Sequence, residues 1–207
     1  MSEARTRNLG MIALATLLVS SGVSTAEPGS LPIHDGVGGE FTARSSLGRE
    51  VSSKEFEGKV VLLFFGYTSC QDICPATLSH LRALTASLGP AADDVQVLLV
   101  TVDPENDTAE HLHEYLARFD ARFIGLTGEA DEMARIADLF MAKHDRSHGM
   151  EVSMEHNRSK PFVKSAYLYS HSQQIYLLDK MGRTRAYFFT GSPLDEMEAA
   201  VRALLKE

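Results

Sequence analysis

The sequence predicts a domain of the α/β class, in which helices alternate with the strands of a central sheet. Two continuous apolar runs, at 59–65 and 95–102, are typical of strands buried on both faces of a sheet. Leucines at helical spacing lie between the two runs, at 78, 81, 84 and 88, and this predicted helix stops at Gly89 and Pro90. Strands that alternate with helices in this way indicate βαβ units.

Shorter elements surround this core. Two strand-like pieces at 41–43 and 49–51, joined by a turn at 45–48, predict an N-terminal β-hairpin. Beyond the second core strand, the pattern predicts extended segments at 123–126, 162–169, 174–178 and 184–189, with a turn at 180–183. Ser192 and Pro193 predict the start of a final helix at 194–205.

Polar residues predict the starts of two further helices. Asp107 and Glu110 resemble a capping box and predict a helix from about 108 to 118. Thr127 is expected to cap a helix that runs to about 141, and the aperiodic stretch 144–160 is expected to be a loop. This order of elements matches a thioredoxin-like fold, with a central mixed sheet flanked by helices and the β-hairpin as an N-terminal extension.

Length and charge narrow the class of protein. The chain has 207 residues, of which 44% are hydrophobic and 23% are charged, which suits one globular domain. Its formal net charge is −8, so its surface is a poor partner for phosphates, and nucleic-acid binding is not expected.

The first 26 residues have the pattern of an export signal. Arg5 and Arg7 precede an apolar run at 9–19, and small residues at 24–26 offer a cleavage site after Ala26. We expect the protein to be exported to the periplasm. The alternative is that residues 1–26 stay uncleaved and anchor the protein in the inner membrane. No other contact with a membrane is expected.

The rest of the chain divides into a linker and a folded domain. Residues 27–39 are rich in glycine and proline and predict a linker. The folded domain is therefore expected at 40–207.

The chain has two cysteines, Cys70 and Cys74, between the first core strand and its helix. Export leads to an oxidising compartment, where cysteines are usually paired or absent. A bridge between residues four apart would stabilise little by chain entropy, so a reactive or metal-binding pair is the better interpretation. The start of the helix is expected to lower the pKa of a thiol placed there, because its free N–H groups favour the thiolate.

The spacing of the two cysteines indicates which metal ion they could bind. Three intervening residues put the sulfurs about one helical turn apart, which suits one soft ion. A structural zinc site needs about four protein ligands, and iron–sulfur clusters typically need four thiolates. Cu(I) can be coordinated by two thiolates and one more soft or borderline ligand.

Several motifs together resemble the Sco/SenC family. They are the segment from Gly66 to Pro75 (GYTSCQDICP), the segment at 102–108 (VDPENDT), a late histidine before a hairpin, and the entry to the first strand at 38–41. The resemblance spans about 38–205. It implies a thioredoxin-fold copper chaperone that helps to mature the binuclear copper centre of cytochrome c oxidase.

The resemblance also implies a ligand set. Cys70 and Cys74 would be the thiolate ligands and His171 the imidazole ligand of a copper ion, as Cu(I) or Cu(II). Two positions differ from the usual family pattern: Gln71 replaces a proline, and Ser170 replaces an aspartate that could orient the imidazole. Neither difference removes a ligand.

Other polar residues are candidate ligands or supports of a metal site. Asp72 is equally compatible with a solvated helix start and with a contact that tunes the metal. Asp103 and Pro104 are expected to end a strand and start a turn rather than to contact a metal, with a supporting role left open by their place at the carboxyl end of a strand. A mobile polar loop is favoured over a second copper site for the segment that contains His144, His148, Met150, Met154 and His156, and the histidines at 80, 111 and 113 are expected on solvated helix faces.

Three functions remain open from the sequence. The first is a periplasmic copper chaperone whose partner is a copper-accepting subunit of a respiratory oxidase or another copper chaperone. The second is an enzyme, a thiol–disulfide oxidoreductase in which Cys70 and Cys74 form a disulfide and keep the acceptor's cysteines reduced. A general reductase is disfavoured, because thioredoxins place a cis-proline immediately before a strand, facing their cysteines. Here the only nearby candidate is Pro161. A peroxidase is disfavoured, because Thr68 lies near Cys70 but no supporting arginine is identified.

Overall fold

The computed structural model describes residues 30–142, 144–146, 169–171 and 173–207, with the backbone alone described for 144–146 and 169–171. In chain order the strands are β1 (Thr42–Ser45), β2 (Glu50–Ser52), β3 (Val60–Gly66), β4 (Val95–Thr101), β5 (Ile124–Thr127), β6 (His144–Arg146), β7 (Tyr169–His171), β8 (Gln174–Leu178) and β9 (Thr184–Phe189). The helices are α1 (Ile73–Leu88), α2 (Ala109–Leu116), α3 (Ala130–Leu139) and α4 (Leu194–Leu205), and short 3₁₀ helices span Ser53–Phe56 and Gly89–Asp94.

Seven of the described strands form one mixed sheet, in the order β2-β1-β5-β4-β3-β8-β9. β3 and β5 are both parallel to β4, whereas β8 runs antiparallel to β3. The β1–β2 hairpin extends the sheet beyond β5, to which β1 is antiparallel. The predicted α/β class, the mixed sheet and the N-terminal hairpin are confirmed. β6 and β7 pair with each other.

The central strand β3 is apolar along its length because both of its faces are covered. Val60, Leu62 and Phe64 pack in a cluster with residues of α1, α2 and α4. The alternate residues, at 61, 63 and 65, pack in a second cluster with residues of α3 and the N-terminal hairpin. Since side chains on a strand point alternately to the two faces, a continuous apolar run is what a sheet covered on both sides requires.

Two of the predicted helix caps are wrong. The N-cap of α2 is Thr108, whose hydroxyl accepts a hydrogen bond from the His111 N–H at 3.1 Å, while the Asp107 side chain turns to other partners. Thr127 is the last residue of β5, and its hydroxyl donates to the Asp107 carbonyl at 2.8 Å. α3 begins after Glu129, without a side-chain cap. The side chains of Asp107 and Thr127, which the local sequence predicts as helix caps, therefore form tertiary hydrogen bonds instead.

Of the polar stretch predicted as a loop, the structure describes only 144–146, and these residues form β6. Most of the predicted extended segment 162–169 lies outside the described residues. The predicted signal at 1–26 also lies outside them. Within the described part of the chain, no helix combines the length and the apolar character needed to cross a membrane.

A buried guanidinium connects β9 to three other parts of the chain. Arg185 is 4% exposed and donates to Asp179 at 2.9 Å and to Glu207 at 2.6 and 2.9 Å. It also donates to the carbonyl oxygens of Leu31 and Pro32, at 2.6 and 3.3 Å. Five donors in a planar fork can satisfy this many acceptors at once, which an ammonium group cannot do.

We expect the stability of the protein to fall in acid because of Asp179. Burial alone would raise the pKa of Asp179, but hydrogen bonds from Arg183, Arg185 and the Met181 backbone hold it below its usual value. A carboxyl whose pKa is lower in the folded state contributes stability that is fully present above the unfolded-state value of about 3.9. That contribution is lost as the pH falls through the folded-state pKa.

The measurement is the free energy of unfolding by denaturant, followed from about pH 5 to about pH 2.5. The Asp179→Asn variant should show a flatter acid limb than the wild type. Asp93, whose side chain is 85% exposed, provides the control, because Asp93→Asn should follow the wild-type curve. Parallel curves for the wild type and Asp179→Asn would contradict the prediction.

Candidate metal centre

The two cysteines lie where β3 ends and α1 begins. β3 ends at Gly66, and Cys70 follows in the loop, where its N–H donates to the Tyr67 carbonyl at 3.3 Å. Cys74 is the second residue of α1. Because Gly66 lies opposite Thr101 in the parallel β3–β4 pair, the loops after both strands leave the same edge of the sheet. Ligand sites gather at this edge in open α/β sheets.

Both cysteines are free thiols and they are neighbours. The backbone N–H of Cys74 donates to the Sγ atom of Cys70 at 3.4 Å. Cys70 is partly exposed, whereas Cys74 is 0% exposed. The pair therefore offers two soft sulfur donors, one of them accessible from solvent, and this donor type suits Cu(I).

The environment of Cys74 favours the protonated thiol. Burial raises the pKa of the Cys74 thiol far above its usual range, and a hydrogen bond with the Tyr67 backbone opposes this effect only in part. The expectation that the helix start lowers the pKa of a thiol there is wrong for Cys74. The loss of water around the sulfur outweighs the field of the helix end.

Gly66 leaves room for the Cys74 sulfur. A Cβ atom at this position would lie 2.9 Å from Sγ of Cys74 and 3.0 Å from Cδ1 of Leu99, closer than packed atoms allow. The last residue of β3 must therefore lack a side chain for the sulfur to occupy its present position.

We expect Gly66→Ala to displace the Cys74 thiol. The added methyl group overpacks the site, which costs about 1–3 kcal/mol of folding free energy, and alkylation of Cys74 by iodoacetamide should become faster. Gly125→Ala, on β5, is the matched control, since its Cβ would lie 2.8 Å from Cβ of Leu112 on α2. It should lose similar stability without changing the alkylation rate. Equal rates in both variants would contradict the prediction.

A buried carboxylate connects the two loops at this edge. Asp107 is 0% exposed and accepts hydrogen bonds from the backbone N–H of Thr68 at 3.1 Å, from the Thr68 hydroxyl and from the Thr101 hydroxyl at 2.6 Å. Burial raises the pKa of Asp107, and the hydrogen bonds from Thr101 and Thr68 limit that rise. Asp107 thereby holds the cysteine loop at Thr68, two residues before Cys70.

Sequence reasoning missed this role of Asp107, because its local pattern indicated a helix cap. A different signal was present: Thr68 and Asp107 each follow a core strand, and parallel strands bring their carboxyl ends together. The peroxidase hypothesis paired Thr68 with Cys70, but the Thr68 hydroxyl donates to Asp107.

His171 is placed by its backbone. It lies in β7, opposite His144 in the antiparallel β6–β7 pair. Its side chain is outside the described residues, so its role as a ligand stays a prediction. Ser170, the neighbouring departure from the family pattern, lies in the same strand.

The other polar residues considered as ligands or supports differ in their exposure and hydrogen-bond partners. Asp72 is exposed and makes no side-chain cap at the start of α1. The buried Asp103 carboxylate accepts from the Asn106 side chain at 2.9 Å. His111 is exposed, as expected, whereas His80 is half-buried and its Nε2 atom lies 2.9 Å from the Ser192 carbonyl.

The rest of the histidine- and methionine-containing segment at 147–156, and Pro161, lie outside the described residues. Within the ranges 30–142 and 173–207, no group of three or more histidine, cysteine, aspartate or glutamate side chains could hold a metal ion.

The fold and the cysteine pair define a thioredoxin-like protein with two thiols at the carboxyl edge of its sheet. The family model described as SCO1/SenC matches residues 32–206, and the chain belongs to this family. An SCO2-like protein of Rickettsia conorii is 31% identical over 166 residues, which are 80% of this chain and 76% of that protein.

Solved structures of family members have the same fold. ScoI of Bradyrhizobium japonicum, with copper bound, is 30% identical with a TM-score of 0.69, and the match covers 82% of this chain and 99% of that chain. ScoI of Arabidopsis thaliana, also with copper bound, is 28% identical with a TM-score of 0.69, covering 83% of this chain and 99% of the other. The thioredoxin-like fold is thus confirmed.

Proposed function

We propose that this protein is a copper chaperone that binds one copper ion through Cys70, Cys74 and His171. The observation that carries the proposal is the pair of adjacent free thiols at the carboxyl edge of the sheet, one accessible and one buried. The copper-bound ScoI structures, which share the fold over most of both chains, support copper as the ion.

The chemistry of the pair fits capture and release of Cu(I). As copper binds, it replaces the proton of each thiol, and the protons pass to solvent. Thiolates select soft ions such as Cu(I) over harder divalent cations. Because Cys70 is partly exposed, an incoming ligand of an acceptor can reach an ion held there and displace the chaperone's ligands one at a time.

The proposed acceptor is a copper-accepting subunit of a respiratory oxidase or another copper chaperone. The resemblance to Sco/SenC proteins in the motifs at 66–75 and 102–108 supports this class of partner. We propose that the protein acts in the periplasm, after cleavage of residues 1–26 or while anchored by them, on the pattern of that segment.

An anaerobic titration with Cu(I), in competition with a chromogenic Cu(I) chelator, tests the ligand set. We expect one equivalent bound by the wild type and severe loss of affinity in Cys70→Ser, Cys74→Ser and His171→Ala. His113→Ala, which changes an exposed residue of α2, is the control and should bind as the wild type does. Unchanged stoichiometry and affinity in all three ligand variants would end the proposal.

A second function, thiol–disulfide exchange, is favoured by the closeness of the two thiols. Cys70 and Cys74 would reduce an acceptor's disulfide through a mixed disulfide and end as a disulfide themselves, with two electrons and two protons passing to the acceptor. The His171→Ala variant separates the functions. If it keeps reductase activity and loses copper, the cysteines act in redox chemistry independently of the metal.

A further inference from the structure

Three helices begin at the edge of the sheet that holds the cysteines. β3 and β4 are parallel, and β9 runs in the same direction, because β9 and β3 are both antiparallel to β8. The helices α1, α2 and α4 follow these strands and therefore start at the carboxyl edge. Their starts and the loops before them, residues 67–74, 102–110 and 189–196, form one surface around Cys70, which we call the thiol face.

The thiol face is acidic. Its three segments contain no lysine or arginine. Each of them presents exposed carboxylates, which are Asp72, Glu105, Glu110, Asp195 and Glu196. An acid near a helix start has a local reason, since the helix dipole favours a negative charge there. The charges add up regardless of that reason, and Arg44, which lines a pocket together with Glu105 and Glu110, offsets only one of them.

The opposite edge of the sheet carries both signs of charge. Lys59 precedes β3, and Lys180 and Arg183 lie in the connection between β8 and β9. The exposed acids Asp93 and Asp94 precede β4 at the same edge. In the described part of the chain, negative charge is therefore less balanced at the thiol face than at the other edge. A charged molecule that approaches the cysteines meets this field.

Phe189 adds an exposed apolar side chain to the thiol face. It ends β9, two strands away from β3, and is 51% exposed. The loop after it is fixed, because the Phe189 N–H donates to the Ser192 hydroxyl at 2.9 Å and the Thr190 hydroxyl is hydrogen-bonded to that of Thr77, one turn after Cys74 on α1. An exposed aromatic side chain with charged residues around it is typical of a protein-docking surface.

Charge and access decide what kind of partner fits the thiol face. A nucleic acid, an anionic lipid surface or the same face of a second copy would be repelled by its carboxylates. A protein face with lysines and arginines would be attracted. Copper passes by ligand exchange only if the ligands of the acceptor reach the ion at the partly exposed Cys70, so an acceptor has to cover this face.

We propose that the thiol face is the docking surface for a copper acceptor whose own face carries lysines and arginines around an apolar contact for Phe189. The inference rests on the proposed copper-chaperone function. Opposite charges on two docking faces chiefly raise the rate of association, and salt screens them. A basic acceptor should therefore approach Cys70 quickly at low ionic strength and lose that advantage in salt.

The first test uses the metal-free protein, in which the Cys70 thiol reports the charge around it. The probes are two disulfides, cystamine, which is a dication, and dithiodiglycolate, which is a dianion. The Cys70 thiolate attacks one sulfur of the probe, the S–S bond of the probe breaks, a mixed disulfide forms, and the other half leaves as a thiolate that takes up a proton from water. Each initial rate is divided by the rate of the same probe with 2-mercaptoethanol, which corrects for the reactivity of the probe itself.

After this correction, cystamine should react with Cys70 about tenfold faster than dithiodiglycolate at an ionic strength of about 0.01 M, where charges act over about 30 Å. The preference should fall towards equality at about 1 M, where the range is about 3 Å.

Charge reversal locates the source of the preference. Asp195→Lys combined with Glu196→Lys should lower the preference for cystamine about threefold or more at low ionic strength. Asp195→Asn with Glu196→Gln, which disturbs the start of α4 less, should give a smaller decrease in the same direction. Asp93→Lys with Asp94→Lys is the matched control, because it reverses an adjacent pair of exposed acids at the opposite edge. It should keep the wild-type preference.

The second test measures the transfer of Cu(I) from the loaded protein to two synthetic peptides by stopped flow. Each peptide has a pair of cysteines and a leucine, flanked by lysines in one peptide and by glutamates in the other. The lysine peptide should receive copper about tenfold faster at low ionic strength. Phe189→Ser should slow transfer to the lysine peptide about threefold at low and high ionic strength alike, because salt does not screen an apolar contact.

The outcomes are distinguishable. Wild-type protein that binds no copper overturns the proposed function and the copper acceptor with it, while the disulfide rates still report the charge of the face. Copper binding together with equal corrected rates for the two disulfides at low ionic strength overturns the docking surface alone. A preference that reversal of Asp93 and Asp94 lowers as much as reversal of Asp195 and Glu196 also overturns it, since the preference then reflects the net charge of the whole protein. Transfer by Phe189→Ser at the wild-type rate overturns the apolar contact.

Discussion

Replacing Asp107 by alanine is expected to lower the free energy of unfolding by about 3 kcal/mol. The fully buried carboxylate accepts hydrogen bonds from Thr68 and Thr101, and alanine would leave these donors without a partner inside the protein. The cysteine loop would lose its attachment to the loop that follows β4. Under the proposed function, Cu(I) affinity should fall about tenfold or more, because the sulfurs are no longer held for binding.

Asp107→Asn is the matched control for this prediction. It keeps the shape and most of the hydrogen bonds but removes the charge. Burial raises the pKa of Asp107, which means that the ionised form is held at a cost, so a neutral amide should stay within about 1 kcal/mol of the wild type. Denaturant unfolding and the Cu(I) titration measure both effects. Asp107→Ala with wild-type stability would show that the carboxylate does not hold the loop.

Replacing Arg185 by methionine is expected to cost about 3 kcal/mol of folding free energy. The guanidinium is buried and makes hydrogen bonds to two carboxylates and two carbonyl groups. Methionine fills much of the volume but leaves Asp179 with Arg183 as its remaining charged partner. Arg185→Lys should also lose stability, because one ammonium group cannot match the fork of five donors.

Arg202→Met provides the comparison, because it removes an arginine whose side chain is 42% exposed and paired with Glu198 on α4. An ion pair of this kind contributes less than about 1 kcal/mol. Denaturant unfolding at neutral pH measures all three variants. Equal decreases in the free energy of unfolding for Arg185→Met and Arg202→Met would mean that burial of the Arg185 guanidinium does not increase its contribution to stability.

The sheet could be predicted from the sequence because its signals are local and strong. The apolar runs of β3 and β4 and the leucines of α1 depend on periodicity, which burial on both faces imposes directly. The two helix caps were predicted wrongly for the opposite reason, because their signals are not purely local. Asp107 and Thr127 have side chains that serve either a helix start or a tertiary hydrogen bond, and only the folded arrangement decides between them.

The cysteine pair could also be predicted, since two thiols between a strand and a helix are a specific pattern. Their surroundings could not. The dipole of a helix is a property of local structure, whereas the burial that raises the pKa of Cys74 comes from residues distant in sequence.

The anchoring of the cysteine loop at both ends has a consequence for the residues between the anchors. Thr68 fixes the loop on one side and the first turn of α1 fixes it on the other, while Gln71 and Asp72 point into solvent. An exchange at position 71 therefore alters an exposed side chain of the loop and leaves both anchors in place. Under the proposed function, Gln71 would bear on how an acceptor docks rather than on where the two sulfurs lie.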